Sequence, residues 1–376
     1  MNRKKIIILG STGSIGQSAI AVLRKQPEKF ELVGTSSHTN EEQLLEQQSE
    51  FKVATLALSG RKPLSDSVRY HGREGLLEMI RETEADIVLN GIAGADGLMP
   101  SVTVLESGKD LALANKESIV MAGDLIKRIA RDNGRIIIPV DSEHSALFQL
   151  LKDRPREHVV EVVLTASGGA FRETPLEELQ YVTVKQALVH PTWSMGMKIT
   201  IDSATMANKG LEVIETHHLF DIGIEKIRVL LHPQSYVHSL IRTKEGSLYA
   251  QISRPDMRMP IQNALSYPEL YNSYIDPFDL IGKSLDFNEV DKKRYPMLEM
   301  AYQVMSNGFS ALPVVYNAAN EVAVAAFIKE RIDYVTIPQI VEKALQRDWN
   351  CVPESIDEVI SVHKEVVEHS KSLIGS

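Results

Sequence analysis

The chain opens with Lys4–Leu9 (KKIIIL), a continuous β-branched run that Gly10 stops, which is the pattern of a strand buried on both faces. Gly10-Ser11-Thr12-Gly13-Ser14-Ile15-Gly16 follows, and Ile15, Ala19, Val22 and Leu23 then recur at helical spacing. A second strand is expected at residues 31–35. Strand, glycine turn, helix and strand in this order open a dinucleotide-binding fold. The alternation continues with strands expected at 85–90, 111–114 and 135–140. Each ends in a polar cluster: GIAGADG, then Asn115-Lys116-Glu117, then Asp141-Ser142-Glu143-His144. Ligands of parallel α/β sheets sit at the carboxyl ends of strands, so these clusters are candidate site residues.

Beyond Leu151 the pattern changes. A strand at 159–165 runs into Ala166-Ser167-Gly168-Gly169, a small-residue turn able to offer N–H groups to an anion. Strands at 229–231, 239–242 and 247–252 give this region a sheet of its own. Ahead of those strands lie residues 189–197, VHPTWSMGM, an irregular stretch suited to a lid over a site. Residues 201–215, IDSATMANKGLEVIE, read as one helix with Met206, Gly210, Val213 and Ile214 on the buried face. Asn208, Glu212 and Glu215 fall on the opposite face with Lys209 at its edge, and Asp202 or Ser203 caps the start. As an ordinary amphipathic helix it would carry Lys209 and Glu212 as a surface pair. Residues 267–290 are turn-rich. Helices follow at 296–306, at 313–329, from Thr336, and after a capping box at Ser355–Glu358.

These elements predict an α/β protein. Residues 1–150 are expected to form a Rossmann-like NADP-binding domain, and 151–266 a central α+β domain with its own sheet, catalytic in the resemblance given below. Residues 267–290 are a linker, and 291–376 a C-terminal helical bundle. The expectation of NADP comes from Ser36-Ser37-His38-Thr39-Asn40, which lacks the carboxylate that would bond the ribose hydroxyls of NAD.

Composition narrows the class. A chain of 376 residues exceeds one hydrophobic core, and 43% hydrophobic with 24% charged residues is ordinary for a globular protein. The net charge of −9 argues against a dedicated nucleic-acid binder, so an anionic substrate needs a local basic cluster. Cys351 is the one cysteine, which excludes an intrachain disulfide, fits a reducing compartment and is expected to fill space. The apolar run at 6–9 is too short for a signal peptide, and no stretch approaches a membrane span. A soluble cytoplasmic protein with neither membrane nor nucleic-acid partner is expected.

Asp141 and Glu143, in a loop after a strand, can turn both carboxylates to one ion. Glu212 would complete a hard oxygen site for Mg²⁺ or Mn²⁺. The motifs GSTGSIG, ALANKES (112–118), PVDSEHSA (139–146), TASGG (165–169), HPTWSMG (190–196), DSATMANKGLEVIE (202–215) and NAANEVAVAAF (317–327) occur in this order. With them the chain resembles the 1-deoxy-D-xylulose 5-phosphate reductoisomerase family over nearly its whole length. The resemblance implies an NADPH domain, a catalytic domain, a C-terminal helical domain and a homodimer. It also implies conversion of a phosphorylated ketose to 2-C-methyl-D-erythritol 4-phosphate by a retro-aldol and aldol rearrangement followed by reduction, in isoprenoid synthesis.

Carried onto this chain, the resemblance puts Thr12, Gly13, Ser14 and Ile15 at the pyrophosphate and His38, Thr39 and Asn40 by the 2′-phosphate. Asn115, Glu117 and Gly196 lie along the cofactor, and Asp141, Glu143 and Glu212 bind the metal. Ser167, His190, Ser203, Asn208 and Lys209 hold the substrate phosphate and its neighbouring hydroxyl. Lys116 and Ser142 contact the metal-chelating end of the substrate, and Trp193 closes over it. Lys116, Glu143 and His190 are the expected catalytic residues. One segment departs from the family, whose glycine and basic residue before the counterpart of Asn40 are here His38 and Thr39. Two other functions fit parts of the pattern. A simple NADP-dependent reductase of another phosphorylated carbonyl makes three carboxylates less necessary, and a non-catalytic NADP-binding regulator leaves them unexplained.

Overall fold

The computed structural model describes residues 3–306, 310–349 and 351–375. In chain order the elements are β1 Lys4–Leu9, α1 Ser14–Lys25, β2 Phe30–Ser37, α2 Glu41–Phe51, β3 Thr55–Leu58, β4 Tyr70–His71, α3 Gly72–Glu82 and β5 Ile87–Asn90. Then come α4 Leu98–Glu106, β6 Asp110–Leu113, α5 Lys116–Asp132, β7 Ile137–Pro139, α6 Ser142–Leu151 and β8 Val159–Ala166. After α7 Val184–Ala187, α8 Met197–Thr205 and α9 Ala207–Phe220 follow β9 Ile227–Leu231, β10 Val237–Thr243 and β11 Leu248–Ile252. The described helices end with α10 Arg258–Ser266, α11 Pro296–Ser306, α12 Leu312–Ile328, α13 Thr336–Gln346 and α14 Ile356–Ile374. Parallel sheet, second sheet and helical C-terminal region are those the sequence pattern predicts.

The chain divides into two compact units, neither continuous in sequence. The first comprises Met1–Ser118, Ile126–Phe148 and Asp256–Pro277, and the second Ile119–Leu125, Gln149–Pro255 and Phe278–Ser376.

In the first unit seven parallel strands run in the order β4-β3-β2-β1-β5-β6-β7. The sheet grows outward from β1 in both directions, so the order reverses at β1 and β5, and a crevice opens at their carboxyl ends. Gly10 and Gly91 meet there: a Cβ on Gly10, whose φ is +73°, would sit 3.1 Å from the Gly91 carbonyl oxygen. The core packs Ile6, Ile8, Leu23, Leu32, Leu58 and Leu89 with Ile261, Ala264 and Leu265 of α10. Gly16 brings α1 onto the turn that precedes it, and a Cβ there would overlap Gly10 O and the Ser11 backbone. Gly16→Ala is therefore expected to cost about 1–3 kcal/mol of stability and to weaken dinucleotide binding. Thermal denaturation and a fluorescence titration check this, and wild-type values in both would show that the turn has slack.

In the second unit β11-β10-β8-β9 form a mixed sheet, parallel between β8 and β9 and antiparallel elsewhere. Its helical core joins Leu211 and Ile214 of α9 to Val315, Val341 and Val366, with Val120 from the middle of α5.

Three expectations need correction. Residues 201–215 are not one helix: α8 and α9 meet at Met206, whose φ of +63° is left-handed. A non-glycine residue adopts that geometry only when its surroundings fix it. Here the Met206 side chain is buried, its N–H closes on Ser203 O at 3.3 Å, and Tyr334 OH donates to Ala204 O at 2.7 Å. Asp202 and Ser203 thus lie in the last turn of α8, and Gly196 holds its N-cap position. Lys209 and Glu212 do pair, but inside the protein, with Glu212 and Glu215 each 1% exposed. Second, α6 starts at Ser142, so Glu143 belongs to a first helical turn and not to a loop. Its N–H donates to Asp141 Oδ1 at 3.3 Å, which keeps the two carboxylates on the helix start. Third, Cys351 is exposed and fills no core.

Candidate active-site residues

The glycine turn is held from the end of β2. Gly10 N–H donates to Ser36 Oγ (3.1 Å), Ser11 N–H to Ser36 O (2.8 Å), and Thr12 Oγ1 shares a hydrogen bond with Ser37 Oγ (2.8 Å). Ser11 Oγ, buried, donates to Gln47 Oε1 at 2.6 Å. These bonds fix the turn while Gly13, the N-cap of α1, offers no side chain to its N–H groups, and no acid lies in the first turn. A helix start with neither side-chain cap nor acid is suited to a phosphate. Of the residues expected by the 2′-phosphate, Asn40 caps α2 by accepting from Gln43 N–H (3.1 Å).

Asn115 and Glu117, expected along the cofactor, tie the loops after β5 and β6 together. Asn115 caps α5, donates to Ile92 O and Gly94 O at 2.8 Å, and donates to Glu117 Oε2 at 3.0 Å. Beside them Lys116 is buried and pairs with Asp141 Oδ2 at 2.6 Å. A lysine ahead of a helix is usually solvated; this one is a buried cation matched to a carboxylate. Ser142 Oγ donates to Glu143 Oε2 at 2.6 Å.

In the second unit His190 gathers two of the residues expected around a phosphate, Ser167 and Ser203. Its Nδ1 accepts the N–H groups of Trp193 (2.9 Å) and Thr192 (3.1 Å). Those two donors assign the hydrogen to Nε2, which faces Ser167 Oγ (2.9 Å) and Ser203 Oγ (3.2 Å). Ser167 Oγ also accepts from Gly169 N–H at 3.2 Å, so both serine hydroxyl hydrogens remain for an anion. Burial, aided by the Arg172 charge, pushes the His190 imidazole down to about 4.

Since the folded pKa lies below the ordinary value of 6.5, the unfolded chain binds the extra proton between those limits. His190 therefore removes stability as pH falls from about 6.5 to about 4, and is neutral above that window. Nitrogen NMR of the imidazole at neutral pH is expected to report an uncharged Nε2–H tautomer; an imidazolium would contradict this geometry.

Asn208 donates to Glu212 Oε1 and Lys209 to Glu212 Oε2, so the carboxylate is held on both oxygens. Trp193 is half-buried with its ring 6.2 Å from that of His238, within the irregular stretch that precedes α8. Gly196 is exposed, with open space around it.

Arg172 and Tyr295 in this neighbourhood lie in no motif, and the partners of Asp202, which opens one, are not legible in the sequence. Arg172 donates to Ser167 O (3.1 Å) and sets the field at His190. Asp202, 1% exposed, takes Lys198 Nζ and Asn320 Nδ2, each at 2.8 Å, which ties α8 to α12. Tyr295 OH holds Gly168 O at 2.9 Å. For the Lys198–Asp202 pair the sequence signal is the i, i+4 spacing.

Comparison with known proteins gives consistent matches. The model for 1-deoxy-D-xylulose 5-phosphate reductoisomerase matches residues 6–123, that for its C-terminal domain 137–220, and that for the DXP reductoisomerase C-terminal domain 252–369. The chain is 44% identical over 382 residues to the 1-deoxy-D-xylulose 5-phosphate reductoisomerase of Chlorobaculum tepidum, covering 99% of this chain and 100% of that one. It is 42% identical over 375 residues to the protein of the same name from Crocosphaera subtropica, covering 96% and 94%. Among solved structures, the reductoisomerase from Zymomonas mobilis in complex with NADPH superposes with a TM-score of 0.91 at 36% identity over all of both chains. A DOX-P reductoisomerase in complex with NADPH, fosmidomycin and magnesium gives 0.90 at 35% identity, covering 99% and 98%.

Proposed function

The chain belongs to the 1-deoxy-D-xylulose 5-phosphate reductoisomerase family, and on that premise we propose how its own residues perform the family's reaction. It is an NADPH- and divalent-metal-dependent oxidoreductase that converts 1-deoxy-D-xylulose 5-phosphate to 2-C-methyl-D-erythritol 4-phosphate in isoprenoid synthesis. The observation that carries the metal-dependent part is the donor set. Asp141 and Glu143 stand together at the start of α6, and the buried Glu212 of α9 offers a third carboxylate. Hard oxygen donors in that number suit Mg²⁺, and equally Mn²⁺. When bound, the ion supplies Lewis-acid polarisation of the ketose oxygens and NADPH supplies the hydride.

In this reading Ser167, Ser203, Asn208 and Lys209 bind the substrate phosphate. His190 acts as a neutral donor that fixes the two serine hydroxyls. Lys116, buried among carboxylates, moves the proton or holds the enediolate charge, with Glu143 as its partner and Ser142 on a substrate hydroxyl. Trp193 covers the site from the irregular stretch, which excludes water. Thr12, Gly13, Ser14 and Ile15 take the pyrophosphate at the start of α1. Asn115, Glu117 and Gly196 line the cofactor, and His38, Thr39 and Asn40 lie by its 2′-phosphate.

The skeleton change has a direct test. Retro-aldol cleavage breaks the C3–C4 bond of the ketose, and the aldol step forms a bond between C2 and C4. The old C3 becomes the aldehyde that is reduced. With substrate carrying ¹³C at C3 and C4, the product is expected to lose its one-bond carbon–carbon coupling. Retention of the coupling would mean reduction without rearrangement.

The protein further reads as a cytoplasmic homodimer. The cytoplasm is supported by a single cysteine in 376 residues. Among the described residues, no helix is long and apolar enough to cross a membrane. The dimer is supported by β11, an edge strand with Leu248 and Tyr249 exposed.

A further inference from the structure

The end of the second strand is where a dinucleotide fold tells its cofactors apart. A carboxylate there bonds the ribose hydroxyls of NAD, whereas a nearby arginine accommodates the 2′-phosphate of NADP. Residues 36–40 contain neither. The loop after β3 brings an arginine to this place, and α2 opens with a carboxylate. Ser59 N–H donates to Ser37 O (3.0 Å) and Gly60 N–H to His38 O (2.7 Å), which zips the loop onto the end of β2. Gly60 lies against the His38 ring so closely that a Cβ would come within 2.6 Å of it.

The next residue, Arg61, donates Nε–H to Thr39 O (3.2 Å) and Nη1–H to Lys62 O (3.1 Å), and pairs through Nη2 with Glu41 Oε2 (3.0 Å). Glu41, the first residue of α2, is the carboxylate nearest in sequence to the end of β2, and it is committed elsewhere. Its oxygens accept Leu64 N–H (2.9 Å), Ser65 N–H (2.7 Å) and the Arg61 guanidinium, and its side chain is 6% exposed. The Leu64 N–H, more than the guanidinium, holds this carboxyl below its ordinary value. Glu41 is thus an anchor for the loop and not a ribose ligand. Arg61 differs. Three of its five N–H hydrogens make these bonds, two remain, and its side chain is 37% exposed beside exposed His38 and Thr39.

We propose that Arg61 binds the 2′-phosphate of NADPH and sets the preference for NADPH over NADH, with Glu41 as the positioning residue that aims it. The inference rests on the glycine turn being the NADPH site. A guanidinium fork held by two carbonyls and a carboxylate is pre-oriented, and a phosphate can take its remaining N–H groups without ordering a free side chain. Lys62, exposed alongside, adds to the local positive field.

The test compares NADPH and NADH affinity of the full-length protein, wild type and Arg61→Ala, by fluorescence titration at low and high salt. Arg61→Ala is expected to weaken NADPH by about 10- to 100-fold while NADH changes by less than about twofold. Arg61→Lys, which keeps the charge and loses the fork, is expected to fall between. The salt dependence of NADPH binding is expected to flatten in Arg61→Ala. An equal loss for both cofactors would make Arg61 a loop support only and overturn the proposal, as would an unchanged ratio in both variants. A wild-type protein that binds NADPH no better than NADH would overturn the NADPH site itself, a failure visible before any variant is made.

Discussion

Glu212→Gln is expected to lower turnover by about three orders of magnitude, the several kcal/mol that a polarising metal contributes to the transition state. The substitution keeps the size of the side chain and removes its charge. Glu212 is 1% exposed and bonded on both oxygens by Asn208 and Lys209, so the carboxylate is fixed before any ligand arrives. Losing that charge removes one carboxylate from the buried Lys209, which is expected to destabilise the fold. NADPH affinity should stay within about twofold, because the glycine turn proposed to bind it is built from β1, α1 and β2. Steady-state rates across a range of Mg²⁺ concentration, beside a cofactor titration, check both halves. Unchanged turnover would remove Glu212 from the metal site.

The second large effect is at Lys116. Lys116→Met is expected to lower kcat by about 10²- to 10⁴-fold, the range for loss of a positioned proton donor or acceptor. The lysine is buried at the start of α5 and pairs with Asp141 at 2.6 Å, so it also neutralises a proposed metal ligand. Removing it leaves the Asp141 charge without that lysine to offset it, and metal affinity should hold or rise. A fall in kcat with metal affinity kept thus separates a role in the chemistry from a role in building the site. Parallel losses of both would contradict the assignment. Titration with Mn²⁺, read by its paramagnetic signal, provides the affinity.

Much of the architecture is local in origin and so legible in the sequence. The continuous run Ile6–Ile7–Ile8–Leu9, the glycines after it and the spacing of Ala19, Val22 and Leu23 each act within a few residues. β1, the turn and α1 form where that pattern puts them. The break at Met206 is different, because it depends on Tyr334 and on burial of the Met206 side chain, and helical periodicity runs straight through it. Burial of the Lys209–Glu212 pair is equally invisible, since an i, i+3 ion pair reads the same on a surface as in a core. Arg61 reaches Thr39 from twenty-two positions further along, through a strand crossover that spacing does not encode. Motifs mark the residues proposed to meet a ligand. What orients those residues, as Asp202, Tyr295 and Arg172 do, comes from the tertiary fold.

The central claim is that this chain rearranges and reduces a phosphorylated ketose with a divalent ion. NADPH oxidation by the purified protein with 1-deoxy-D-xylulose 5-phosphate, with Mg²⁺ and again after chelation, with the product identified, tests it most directly. The account predicts oxidation that stops on chelation, returns with Mg²⁺ or Mn²⁺ and yields 2-C-methyl-D-erythritol 4-phosphate. Oxidation that survives chelation, or a product with an unbranched carbon skeleton, would contradict it.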